Sequence, residues 1–193
     1  VARPLELIGY TVTRLTADDL TAEKLHALDA VIIGIRAFNV RGDLAARLSV
    51  LFAYVEAGGT LIAQYNLAQG LAPDWLAPFQ MRISRRRVTD EHAPVTILAP
   101  DHPALTTPNR ITDADFKDWV QERGLYFPEQ WDERFTPILA TGDPGEDPLQ
   151  GGLLIARHGR GYFVYTSLSW FRQLPEGVPG AYRLFANLVS LGK

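Results

Sequence analysis

The run Ala30-Val31-Ile32-Ile33-Gly34-Ile35 constrains this chain more than any other stretch. It is continuously apolar and β-branched, the pattern of a central strand buried on both faces of a parallel sheet. From Asp43 to Ala57, Leu44, Leu48, Leu51, Phe52 and Val55 then fall at helical spacing, and Gly58-Gly59 supplies a left-handed stop before a second strand, Thr60 to Tyr65. Strand, helix and strand within about 35 residues make a right-handed crossover unit.

The flanking segments extend the alternation. Residues Arg3 to Ile8 read as the tail of a helix that Gly9 stops, Thr11 to Leu15 as a short strand, and Ala17 to Leu28 as a helix capped by Thr16. The chain opens at Val1 with no Met and no charged-then-apolar leader, which reads as an excerpt of something longer with a strand ahead of Val1 missing. The stretch Asn66 to Asp113 is rich in Pro and turn residues and holds two strand candidates, Met81 to Ser84 and Val95 to Leu98. Thr112 and Asp115 form a capping-box pattern ahead of a helix carrying Phe116, Trp119 and Val120 and ended by Gly124. Pro128 to Pro148 reads as a surface loop interrupted by a strand, Pro137 to Thr141. Gly152 to Arg157 and Gly161 to Leu168 form a β-hairpin, and a last helix runs from Pro179 to Leu191 with Gly192 as its stop.

Composition narrows the function classes. A length of 193 residues, 47% hydrophobic and 21% charged, suits one domain spanning 1–193. A net charge of −3 lacks the basic footprint of a nucleic-acid or membrane-surface binder, and no apolar run is long enough to span a bilayer as a helix, so neither partner is expected. With zero cysteines there is no disulfide, thiolate metal site or Cys nucleophile. No phosphate loop, G-x-S-x-G elbow, G-x-G-x-x-G turn or H-E-x-x-H pair occurs.

Four clusters carry candidate chemistry. His92 beside Asp90-Glu91 and His102 beside Asp101 offer metal-ligating side chains, but neighbours in an extended chain point apart and surface loops account for them; no cofactor or metal is expected. Arg85-Arg86-Arg87 could grip an anion or be a solvated strand end. The segment Trp119 to Asp132 mixes aromatics with hydrogen-bonding side chains, which suits either a sugar ring or a satellite core pinning a loop. Ser167 to Gln173 follows the last strand, where open α/β sheets place ligand groups.

Three runs carry a family likeness: Asp29 to Asn39, Gly58 to Asn66 and Gly161 to Trp170. Together they resemble the class I glutamine amidotransferase-like fold, more closely the C-terminal region of large bacterial PIG-L (LmbE-type) deacetylases, and more distantly ThuA-like proteins. The resemblance implies an α/β, flavodoxin-like three-layer sandwich, with a mostly parallel sheet and a C-terminal antiparallel β-hairpin. It also implies attachment to a zinc-dependent N-acetyl-sugar deacetylase domain of the same parent chain, and a periplasmic or extracellular location. The deacetylase's metal motif is not here, because His102-Pro103 is followed by Ala104-Leu105. Amidotransferases of this class place Cys and His-x-Glu where this chain has Tyr65-Asn66 and Ser167-Leu168-Ser169, so triad hydrolysis of glutamine has no nucleophile and no base.

The expected function is therefore that of a non-catalytic accessory domain whose cleft binds a glycan or docks on the deacetylase domain. Arg36, Gln64, Tyr65, Asn66, Ser169, Trp170 and Arg172 are expected to line the cleft, joined by Trp119, Glu122, Arg123, Tyr126 and Trp131 from the aromatic segment. A rival reading is a hydrolase acting on a sugar or amide through Asp115, Glu122 or Asp132, since glycosidic chemistry needs two carboxyl groups about 5 to 10 Å apart. A purely structural spacer makes no demand on the cleft.

Overall fold

The computed structural model describes residues 1–71 and 76–193. Its helices are α1 (Ala2–Leu7), α2 (Ala22–His26), α3 (Ala37–Val40), α4 (Gly42–Ala46), α5 (Leu48–Glu56), α6 (Pro103–Thr106), α7 (Trp170–Gln173) and α8 (Pro179–Val189). Its strands are β1 (Ala30–Ile33), β2 (Thr60–Gln64), β3 (Met81–Ile83), β4 (Arg87–Val88), β5 (Val95–Ile97), β6 (Gly124–Leu125), β7 (Pro128–Trp131), β8 (Phe135–Pro137), β9 (Leu139–Thr141), β10 (Leu153–His158) and β11 (Gly161–Thr166).

The chain is a mixed α/β protein built on a five-stranded sheet ordered β1-β2-β11-β10-β8. β1 and β11 flank β2 in parallel, whereas β10 pairs antiparallel with both β11 and β8. The expected hairpin is present, turning at Gly159-Arg160 between the His158 and Gly161 pair. A turn that tight reverses the chain, so the sheet is mixed rather than mostly parallel.

Side-chain alternation explains why these strands are apolar throughout. Ile62, Leu153, Ile155 and Val164 share one cluster with Leu184, Phe185 and Leu188 of α8. Leu61, Ala63, Leu154 and Phe163 share another with Leu51 and Val55 of α5. Successive residues of β2, β10 and β11 thus face different helices, and both faces of the sheet are covered. Small two-stranded ribbons, β3-β7, β4-β6 and β5-β9, build the layer expected as insertion and loop.

Five local expectations are corrected. Thr11 to Leu15 forms no strand, and no backbone hydrogen bond joins it to another strand among the described residues. The α2 helix is shorter than expected because the Asp19 carboxylate accepts from the backbone N and Oγ1 of Thr16, both at 2.8 Å, and holds it in a turn. Thr21 caps in its place, its Oγ1 accepting from Lys24 N. The helix expected from 43 to 57 breaks into α4 and α5 at Arg47, whose ψ is 6°. After the expected capping box, Asp113–Phe116 is only a 3₁₀ turn, since Asp118 and Gln121 take positive φ and Gln173 holds both Val120 N and Val120 O. Finally, β1 is an edge of the described sheet rather than a central strand.

Candidate functional site

The carboxyl ends of β1, β2 and β11 converge on Tyr65, the residue that follows β2. Arg36, after β1, adopts left-handed φ 55° and donates its N–H to the Tyr65 carbonyl at 2.8 Å. Asn66 ties the corner: its Oδ1 accepts from Phe38 N at 3.0 Å, its Nδ2 donates to Gln64 O at 2.9 Å, and its backbone N donates to the Tyr165 hydroxyl at 3.2 Å. The Asn66 side chain is thereby consumed in holding the turn. Buried Tyr165 has its phenol pKa pushed up by burial.

The loop after the 3₁₀ turn is zipped onto the segment that follows β11. Leu125 N donates to Ser167 O, Ser169 N to Arg123 O, and the Ser167 hydroxyl to Tyr126 O. Gly124 permits this, because a Cβ there would lie 2.6 Å from Ser167 O. The zipper holds Tyr126 at φ 55° with its ring stacked on Tyr65, centroids 5.7 Å apart and 25° between planes. Phe171, on α7, packs tilted against Tyr65, with ring centroids 5.8 Å apart and 58° between planes. Glu122 and Arg172 pair at 3.6 Å beside these rings. Burial pushes the Tyr65 phenol pKa above its ordinary value; Glu122 adds to the rise, while Arg36 and Arg172 oppose it.

At the strand ends, half-buried Tyr126 and Phe171 therefore cover the buried Tyr65 ring and are flanked by a carboxylate and two guanidinium groups. This arrangement suits a ligand with an apolar C–H face and peripheral hydroxyls. Buried polar atoms without partners lie around it: Gln64 Oε1 and Ser169 Oγ have none among the described residues.

The structure brings Arg36, Tyr65, Glu122, Tyr126 and Arg172 together, with Gln64, Asn66 and Ser169 beneath. Trp119, Arg123, Trp170 and Trp131 are corrected, since they do not line this cleft. Trp119 is 2% exposed and Trp170 0%. Their indole nitrogens donate inward, to Asp115 O at 3.0 Å and Thr166 Oγ1 at 2.9 Å, and Trp170 packs on Phe185. Arg123 is buried, donating to Ala93 O and Phe116 O, and burial lowers its pKa. Trp131 lines a separate crevice with Arg82 and Glu129. Two contributors were missed within the run Ser167 to Gln173: Phe171, and buried Gln173, whose amide grips the loop bearing Glu122.

The acids of the hydrolase reading are held by three different arginines: Asp115 by Arg183 at 2.7 Å, Glu122 by Arg172, and Asp132 by Arg134 at 2.7 Å. Arg134 holds the Asp132 carboxyl down to a pKa of about 2. Among the described residues no three His, Asp or Glu side chains gather as a metal site, and no helix is long and apolar enough to cross a membrane.

No protein-family model matches this chain, and neither does any curated protein. Solved structures do. A protein described as cytoplasmic from Salmonella typhimurium LT2 is similar at 16% identity and a TM-score of 0.62, over 99% of this chain and 85% of that one. A ThuA-like protein from Bacteroides uniformis ATCC 8492 matches at 12% identity and 0.58, over 97% and 81%. A cold-adapted β-galactosidase from Rahnella sp. R3 matches at 19% identity and 0.56, over 96% of this chain but 25% of that one. These likenesses establish a shared fold, and the ThuA-like neighbour bears out the more distant resemblance read from the sequence. The expectation of a periplasmic or extracellular location is corrected by the likeness to a protein described as cytoplasmic.

Proposed function

We propose that this chain is a non-catalytic, flavodoxin-like three-layer domain that binds a saccharide over Tyr126 and Phe171, with Tyr65 packed beneath them, as an accessory to an N-acetyl-sugar deacetylase domain. The aromatic floor beside the Glu122–Arg172 pair carries the reading, because such a floor stacks a sugar ring while the charged rim bonds its hydroxyls. Two facts support a binding rather than a catalytic role. The side chain after Tyr65 is spent on backbone ties, and the hydroxyls of Ser167 and Ser169 have no imidazole partner among the described residues. The fold also occurs as a quarter of a β-galactosidase, a minor part of a longer saccharide-acting chain.

Calorimetric titration with N-acetylglucosamine oligomers tests this. Saturable binding is expected, weakened about tenfold or more in Tyr126→Ala and Phe171→Ala. Binding that both variants leave intact, or none to any saccharide, contradicts the proposal; the second result favours docking on the catalytic domain.

A further inference from the structure

The charged groups around the Tyr65 ring do not balance. Glu122 is the one carboxylate that acts on the Tyr65 phenol, against two guanidinium groups, Arg36 and Arg172. Its side chain is 15% exposed and turned to Arg172, whose side chain is 43% exposed. At 3.6 Å that contact is too long for a hydrogen bond, so the Arg172 fork keeps donors for another acceptor. Arg172 also lies over the Phe171 ring, 4.8 Å from its centroid. Arg36 is exposed, and its guanidinium meets no carboxylate within ion-pair distance among the described residues. The accessible rim of the site is therefore positive, on a chain whose net charge is −3.

We propose, building on the reading of this site as a saccharide floor, that its ligand is an acidic saccharide: the sugar seated on Tyr126 and Phe171 bears a carboxylate that Arg36 and Arg172 hold.

A guanidinium fork matches the two oxygens of a planar carboxylate, and a charge-assisted bond of that kind is stronger than one to a neutral hydroxyl. Two guanidinium groups less the Glu122 carboxylate leave a single positive charge, which fits a monoanionic carboxylate better than a dianionic phosphate. The backbone holds the arrangement at a conformational cost. Arg36 and Tyr126, on either side of Tyr65, both take φ 55°, a region uncommon for residues with a Cβ and found where a ligand group must be aimed. Arg36 is kept there by its N–H bond to Tyr65 O at 2.8 Å.

The run Arg85 to Arg87 extends the positive rim. Arg87 stands opposite Leu125, and Arg86 O accepts from Phe127 N at 3.0 Å, so the run borders the residues on both sides of Tyr126. All three side chains are exposed, and none pairs with a carboxylate among the described residues. A second acidic unit of an oligosaccharide leaving the floor past Tyr126 meets a field of the same sign.

Calorimetric titration of the chain tests this with a tetrasaccharide of alternating N-acetylglucosamine and glucuronate, compared with its methyl ester, which keeps every ring and removes the charge. The acid is expected to bind about tenfold or more tightly than the ester at low salt, with the ratio shrinking at high salt. The ratio should fall towards one in Arg36→Gln and in Arg172→Gln. Equal binding of acid and ester by the unmutated chain overturns the acidic ligand while leaving the saccharide floor in place. Binding of neither overturns the saccharide reading itself. A preference for the acid that both variants keep in full overturns the assignment to Arg36 and Arg172.

Discussion

Trp119 and Trp170 meet at 5.7 Å, each with its indole N–H satisfied inside the protein. Replacing Trp170 by Ala removes a wholly buried ring from against Phe185 and leaves a cavity in the α8 core, a change that typically costs about 3 to 5 kcal/mol. Urea unfolding of Trp170→Ala should show that loss; a change below about 1 kcal/mol would place the ring outside the core. Tyr126 is the opposite case, a half-buried ring at positive φ whose backbone is held by Leu125 and Ser167 rather than by its own side chain. Truncating it removes contact area from the floor while leaving the zipper in place. Sequence proximity alone, four aromatics between Trp119 and Trp131, did not separate these roles, because the burial of Trp119 depends on Trp170, 51 residues on, which in turn packs on Phe185.

Among the helices, α6 is capped by a histidine. His102 Nδ1 accepts from Ala104 N at 3.1 Å, and burial lowers the imidazole pKa below its ordinary value near 6.5. The folded state therefore favours neutral His102, and its contribution is complete above pH about 6.5 and shrinks as pH falls below it. Protonation also removes the acceptor that caps the helix, a loss of about 1 kcal/mol. The stability of the native chain should fall from pH 7 to pH 5 by more than that of His102→Asn, which keeps a capping acceptor; equal pH dependence would remove His102 from the account. Elements with regular periodicity were legible in the sequence: β2, the β10-β11 hairpin and α8 stand close to where alternation, turn chemistry and the Pro179 start put them. Those depending on a distant partner were not. The helix expected through Trp119 gives way to an irregular loop because Asp118 and Gln121 take positive φ and Gln173, 53 residues on, takes the Val120 amide groups, and Thr11 to Leu15 has strand residues with no strand paired to it among the described residues.

At the scale of the whole molecule, a sheet covered on both faces leaves its strand ends as the open place for a ligand. The chain fills those ends with Arg36, Tyr65, Tyr126, Phe171, and the Glu122–Arg172 pair. Strand order and hairpin position brought Arg36, Tyr65 and Arg172 within reach of sequence reasoning. The contribution of Phe171 and the burial of Trp119 and Trp170 needed the packing of α7 against α8, which no local pattern encodes. The most direct measurement is an amide chemical-shift titration of the ¹⁵N-labelled chain with N-acetylglucosamine oligomers. Saturable changes confined to Arg36, Tyr65, Glu122, Tyr126 and the Phe171-Arg172 turn are expected. Changes gathered around Trp131 and Arg82, or none at saturating sugar, would contradict a saccharide site at the strand ends.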